Sequence, residues 1–232
     1  MKNIAMWCVL TFPLVATWAQ AEEATLAVEV TGSDELVREK GRFEDTSVHP
    51  DADFTRYRKL HLWIAELQFR EVAAQRDHTV GRIDNGSAFA LSNEEQERYR
   101  EVVSNAFVDE LGRSKNLELV ADFGPSTLIV RASILDIVCH VPPPSAGDVN
   151  VYPSTVGEGT LRFELIDSET GVMQARVEER RKIQPPGRII PDVSSVPIYR
   201  ETMWRDVRRW SSEAASDLRR ALGRAQSGRG LK

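Results

Sequence analysis

Cys139 and His140 are the residues in this sequence whose types and spacing come closest to a catalytic pair. An imidazolium beside a thiol lowers the pKa of that thiol, which is one way in which cysteine nucleophiles are made. Adjacent residues on a β-strand point to opposite faces, however, so these two side chains are expected to diverge. The sequence therefore favours a packed thiol near the end of a strand over a nucleophile.

Other catalytic and metal-binding arrangements are also missing from the sequence. No G-x-S-x-G, S-x-x-K or H-E-x-x-H motif occurs. Asp136 lies in a largely apolar segment, where a structural ion pair is the ordinary role of a carboxylate. Residues 157–159 precede a predicted strand and not a helix, so we interpret them as a loop rather than a phosphate site. We predict no catalytic residue, no cofactor and no metal ligand, since the histidines are scattered, at His49, His61, His78 and His140.

Two proline-rich segments are the strongest candidates for a binding surface. If residues 127–138, 160–166 and 172–183 form an antiparallel meander, the first and third strands run parallel, and both segments leave the same end of the sheet. Rigid, partly apolar loops bind partners at a low entropic cost, so we predict an interaction surface there. Stiff connectors without a binding role are the alternative. The candidate contact residues are Pro142, Pro143, Pro144, Tyr152, Pro185, Pro186, Arg188 and Tyr199.

Two charged segments suggest further surfaces. The run at 178–182 contains two glutamates followed by three basic residues, and it indicates a solvated or edge position on a late strand. No acidic residue follows Asp217, so the C-terminal end is basic and could contact an anionic membrane surface. Favourable interaction with the dipole of a C-terminal helix explains most of these residues equally well. The arginines concerned are Arg219, Arg220, Arg224 and Arg229.

Residues 1–21 have the pattern of a secretory signal peptide. Lys2 gives a positive start, an apolar run extends over 4–18, and Ala19-Gln20-Ala21 forms a cleavage site. Trp7 precedes Cys8, whereas a lipid-attachment cysteine needs a small residue before it, so we predict no lipobox. We expect the protein to be exported to the periplasm or the cell envelope, with no transmembrane helix in the mature chain.

Charge argues against nucleic acid as a partner. The chain carries 30 lysines and arginines against 35 acidic residues, a formal net charge of −5. Removal of residues 1–21 would delete Lys2 and make the net charge more negative still. Sequence-independent binding of nucleic acid depends on cations that neutralise phosphates, so we predict none.

Hydrophobic periodicity predicts an α+β fold with elements in the order β-α-β-β-β-β-α. Two long amphipathic helices would pack on a mostly antiparallel sheet. Residues 22–55 show no sustained period and are expected to form an N-terminal arm, followed by a single domain over 56–224 and a flexible basic tail over 225–232. The predicted strands are 58–69, 117–121, 127–138, 160–166 and 172–183, and the predicted helices begin at Ser92 and near Met203.

This pattern resembles the bacterial "domain of unknown function 3313" family over roughly residues 43–224. The resemblance rests on Tyr57-Arg58-Lys59-Leu60 at the first strand, the capped helix from Ser92, Asp136, the turn at 167–171 and the tryptophan-bearing last helix. It implies an exported protein, often a lipoprotein in that family, and it brings no established reaction. The missing lipobox departs from the lipoprotein pattern.

Together these features favour an exported, non-enzymatic module that binds an envelope protein or glycan. An envelope hydrolase, with a site assembled from residues distant in sequence, is the alternative. A deep pocket lined by converging acidic, imidazole or thiol groups would favour the hydrolase.

Overall fold

The computed structural model describes residues 30–72, 87–122, 124–143, 155–184 and 198–231. The described residues contain one seven-stranded sheet and two long helices. The strands are β1 (Val37–Glu39), β2 (Asp45–Val48), β3 (Lys59–Phe69), β4 (Glu118–Val120), β5 (Thr127–Cys139), β6 (Gly157–Asp167) and β7 (Met173–Ile183), and the helices are α1 (Asn93–Leu111) and α2 (Met203–Ala225).

The predicted α+β class and element order are confirmed. The strands lie in the order β1-β2-β7-β6-β5-β3-β4. The neighbouring pairs β1–β2, β2–β7, β7–β6 and β6–β5 are all antiparallel. Only β3 runs parallel to its neighbours β5 and β4. A parallel pair needs a long crossover, and α1 lies in the connection from β3 to β4 and β5.

The two helices pack against each other and contribute to the same hydrophobic core as the sheet. Ser92 starts α1 with the predicted capping box: its hydroxyl accepts from the Glu95 N–H at 3.3 Å, and Glu95 Oε2 accepts from the Ser92 N–H at 2.8 Å. On α2 the apolar stripe is buried as its spacing predicts, and Trp204 and Trp210 are 7% and 4% exposed.

Phe163 on β6 joins three parts of this core. Its ring centroid lies 5.5 Å from that of Phe107 on α1 and 6.3 Å from that of Phe43, which precedes β2. All three side chains are buried. One aromatic cluster therefore connects the sheet, a helix and the N-terminal segment.

The N-terminal segment is more ordered than its sequence predicts. Within the predicted arm, β1 and β2 extend the sheet, and β2 pairs with β7 from Asp45↔Glu178 to Val48↔Ala175. Hydrophobic periodicity does not indicate these strands, because they have only three and four residues and β1 is exposed throughout. Residues 22–29 of the arm and the predicted signal peptide lie outside the described residues.

The C-terminal end also differs from the flexible tail that was expected from residue 225. Helix α2 extends to Ala225, and the chain then turns back onto the domain. Gln226 donates to the carbonyl of Tyr57 at 3.2 Å, and Leu231 is 1% exposed. Burial of an apolar side chain so close to the end holds residues 226–231 against the domain.

The interpretation of residues 157–159 as a loop is wrong, because Gly157 and Gly159 begin β6. A β-bulge lies opposite them on β5, between Leu135 and Val138. A Cβ at Gly157 would lie 2.3 Å from the carbonyl oxygen of Val138, so this strand position accepts only glycine. Glycine thus marks a close approach of two strands here, not a turn.

Candidate functional site

Strands β5 and β7 end at the same end of the sheet, on either side of β6, as the predicted meander requires. In register, Cys139 on β5 pairs with Gly157 on β6, which in turn pairs with Ile183 on β7. The His140 N–H donates to the Val156 carbonyl at 2.8 Å, and the Val156 N–H donates to the Ile183 carbonyl at 2.8 Å. The segments that follow β5 and β7 therefore leave the same end of the sheet.

Arg200 fixes the chain before α2 to this end of the sheet. Its guanidinium is almost fully buried and donates to the carbonyls of Pro142 at 3.4 Å and Ala90 at 3.3 Å. The same group lies 3.5 Å from Glu95 in an ion pair. We name the resulting surface the loop end, and it comprises residues 139–143, 155–157, 183–184 and 198–202.

A recess of about 720 Å³ opens beside the loop end, between β7 and α2. Four basic side chains and one acidic side chain line it. Arg209 on α2 spans it and donates to the carbonyl of Gln184 at 2.6 Å. We name this recess the basic recess; its described lining residues are Arg180, Arg181, Lys182, Gln184, Arg209, Trp210 and Glu213.

The structure places only part of the predicted contact set. Pro142 and Pro143 are partly buried at the loop end, and Tyr199 is 46% exposed there. The remaining predicted contacts, Pro144, Tyr152, Pro185, Pro186 and Arg188, lie outside the described residues. Sequence reasoning missed Arg200 and Arg209, since an arginine on or near a helix gives no signal of the loop that it contacts.

Cys139 and His140 diverge, as expected of neighbours on an extended chain. The Cys139 thiol is buried against Met203 and Arg200, with sulfur distances of 3.8 and 3.5 Å, whereas His140 Nδ1 lies 2.9 Å from the Ser87 carbonyl. Burial raises the pKa of the Cys139 thiol, and the nearby Arg200 guanidinium only partly offsets that effect. A protonated, buried thiol is a poor nucleophile.

We therefore expect Cys139 to resist alkylation in the native protein. At neutral pH, iodoacetamide should label the Cys139 thiol only as fast as the protein unfolds. In denaturant, the same reagent should label it immediately. Mass spectrometry of the peptide that contains Cys139 measures this. Rapid, complete labelling under native conditions would instead show a reactive thiolate and revive the catalytic interpretation.

Asp136 has the structural role that its sequence context indicates. It forms ion pairs with Arg70 and with Arg180, the latter at 2.9 Å, and the hydrogen bond from Arg70 is the main reason that its pKa is lowered. Its φ of 52° lies in the left-handed region, which the bulge of β5 imposes and which aspartate tolerates better than most residues. Arg131, the nearest basic residue on the same strand, pairs with Glu164 and not with Asp136.

The basic C-terminal arginines are partly engaged within the protein. Arg219 lies 3.6 Å from Glu110, and Arg220 lies 2.5 Å from Asp217. These ion pairs reduce the positive charge that the helix end presents. Contact with an anionic membrane surface through Arg219, Arg220, Arg224 and Arg229 stays a prediction.

Within the described ranges, no group of three or more His, Cys, Asp or Glu side chains could hold a metal ion. None of the described helices combines the length and the apolar character that crossing a membrane would require.

Comparison with known proteins assigns no family. No protein-family model matches the sequence, and no curated protein matches it at a significant level. The resemblance to the "domain of unknown function 3313" family therefore stays a prediction.

Two similar solved structures are dodecamers of PelC from Paraburkholderia phytofirmans. One shares 9% sequence identity at a TM-score of 0.31, over 78% of this chain and 96% of that chain. The other, a single-residue variant, shares 10% identity at a TM-score of 0.31, over 74% of this chain and 92% of that chain. Likeness at this level carries no argument about function.

Proposed function

We propose that this protein is an exported, non-enzymatic module that binds an envelope protein or glycan at the loop end. One observation supports the proposal most directly: β5 and β7 end on either side of Gly157, so two proline-containing segments leave the sheet together. Buried contacts from Arg200 hold this surface in place, which limits the entropy lost on binding.

Exposure of Tyr199 gives the surface an aromatic contact. Tyrosine offers a large, partly polar surface with few rotatable bonds, and for that reason it is common at interfaces. Its backbone is held in turn by Thr202, whose hydroxyl accepts from the Tyr199 N–H at 3.3 Å. The residue is thus presented from an ordered position.

Site-specific photocrosslinking tests the proposal. A photoreactive phenylalanine analogue at position 199 is compared with the same analogue at Val108 on α1, because these side chains are 46% and 47% exposed. In the cells that produce the protein, we expect defined adducts from position 199 and none from position 108. Absence of adducts at 199, or the same adducts from both positions, would contradict a binding role for the loop end.

An envelope hydrolase was the alternative at the level of sequence. The described residues offer no observation in its favour, since the buried Cys139 has a raised pKa and Asp136 is held by two arginines. Export itself rests on the sequence pattern of residues 1–21.

A further inference from the structure

Strand β7 has an open lateral edge next to the basic recess. Pairing with β2 ends at Glu178, whereas pairing with β6 continues to Ile183. Within the part of the chain that the structure describes, no strand covers β7 beyond Glu178 on the β2 side. We name residues 179–183 the open edge.

The backbone groups of the open edge have a definite direction. The backbone carbonyl of Ile183 points toward the β6 side, because it accepts a hydrogen bond from the Val156 N–H. Alternate residues of a strand point to opposite edges, so Arg180 and Lys182 direct their backbone groups away from β6. The Arg180 N–H confirms this direction by donating to Glu44 Oε2 at 3.3 Å. The Arg180 carbonyl and both backbone groups of Lys182 therefore face the open side.

The side chains around the open edge select the charge of a binding partner. Lys182 is exposed, and the acidic residue opposite it on β6, Glu158, also accepts a hydrogen bond from Arg180, so the charge of Lys182 is only partly neutralised. Arg209 extends from α2 on the far side of the basic recess. Trp210 lines the recess, and its indole Nε1 has no hydrogen-bond partner in the described residues. The positive charge of the recess favours an anionic partner. Trp210 favours apolar side chains that alternate with the acidic ones.

A second copy of this chain does not suit the open edge. Antiparallel pairing of two open edges would set the basic run of Arg180, Arg181 and Lys182 beside its symmetry mate. Like charges opposite each other on paired strands are destabilising, and lysine on an edge is a common device against such pairing. An anionic glycan would satisfy the charges, but it lacks the regular backbone donors and acceptors that match a strand.

We propose that the open edge binds an extended acidic segment of a partner protein, which adds to the sheet as a strand beside β7. This inference rests on the proposed function and names the partner class for the surface next to the loop end. The main-chain hydrogen bonds supply affinity, Lys182 selects acidic side chains on one face of the added strand, and Trp210 contacts the apolar side chains on the other face.

Two substitutions at position 182 separate charge from backbone pairing. Lys182→Gln removes the charge and keeps the N–H, while Lys182→Pro removes both. Proline is tolerated where the N–H faces an open edge, so pairing with β6 should persist. The probe is a fluorescent eight-residue peptide of alternating glutamate and valine, and fluorescence anisotropy measures its Kd.

We expect Lys182→Gln to weaken binding of the peptide by about threefold, the size of an exposed charge contact. Lys182→Pro should weaken it by a further fivefold or so, which corresponds to about 1 kcal/mol for one hydrogen bond. Equal Kd values for the two variants would overturn strand addition. Circular dichroism checks that both variants are folded.

A second measurement does not depend on how the variants fold. The same peptide with N-methyl groups on alternate backbone nitrogens keeps its charge but cannot pair as a strand. Wild-type protein should bind it at least tenfold more weakly than the parent peptide. Equal binding of the two peptides, or tighter binding of alginate than of the parent peptide, would overturn the inference in favour of a charge-only or glycan site.

The binding role of the loop end and strand addition at the open edge can be contradicted independently of each other. If wild-type protein binds no acidic peptide while position 199 still gives defined adducts, the inference is wrong and the binding role of the loop end stands. If position 199 gives no adducts, the proposed function fails whatever the peptide shows.

Discussion

Replacing Asp167 with alanine is expected to lower the free energy of unfolding by about 2–4 kcal/mol, because each buried donor left without an acceptor costs about 1–3 kcal/mol. The Asp167 side chain is 2% exposed and accepts hydrogen bonds from the Tyr57 hydroxyl at 2.7 Å and the Thr170 N–H at 2.8 Å. It also forms an ion pair with Arg56. The substitution leaves a buried hydroxyl and the turn at 168–171 without their acceptor. Denaturant unfolding measures the loss.

The pH dependence of stability gives an independent check on Asp167. Burial raises its pKa, but the hydrogen bonds from Tyr57 and Thr170 and the charge of Arg56 outweigh that effect, so its pKa is lowered. A carboxyl with a lowered pKa stabilises the fold above its unfolded pKa of about 3.9, and the contribution is lost as the pH falls through the folded value. The difference in stability between wild type and Asp167→Asn should therefore be constant near neutral pH and shrink below about pH 4. A difference that does not change between pH 7 and pH 2 would contradict this role.

Replacing Phe163 with alanine should lower the free energy of unfolding by about 3–5 kcal/mol, the usual cost of removing a buried phenylalanine. Its ring contacts Phe43 and Phe107, so the cavity would open between the N-terminal segment, the sheet and α1. Because all three groups are buried, little relaxation can fill the space. Thermal and denaturant unfolding measure the effect.

Val108→Ala is the matched control for Phe163. Val108 is 47% exposed on α1, and exposed substitutions usually change stability by less than about 0.5 kcal/mol. A loss at Phe163 no larger than the loss at Val108 would show that the aromatic cluster does not hold these elements together.

Periodicity predicts the elements that bury a whole face. Strands β5 to β7 and both helices are long enough for the alternating or helical spacing of apolar residues to appear in the sequence. Strands β1 and β2 are too short to show such a pattern, and β1 is also exposed throughout. Strand β2 forms because β7 presents an edge to it, and β1 in turn pairs with β2. The glycines at 157 and 159 suggest a loop where the structure has a strand, because the bulge that they lie against belongs to a different strand, β5.

The candidate site was only half predictable for a similar reason. The meander follows from three consecutive strands, so the shared end of β5 and β7 could be derived from the sequence. The open edge depends on where β2 stops, and the basic recess depends on which turn of α2 lies beside β7. Neither position is encoded locally. The charged run at 178–182 indicates a solvated or edge position, but nothing in the sequence indicates that Arg209 and Trp210 lie beside it.

Pairing of β2 with β7 joins the first part of the described chain to one of the last strands to be synthesised. A growing polypeptide can form the hairpin of β6 and β7 as soon as both have emerged, yet β2 must wait, unpaired, until then. Because pairing between residues so distant in sequence forms late, we expect the sheet to be completed only after β7 has been synthesised.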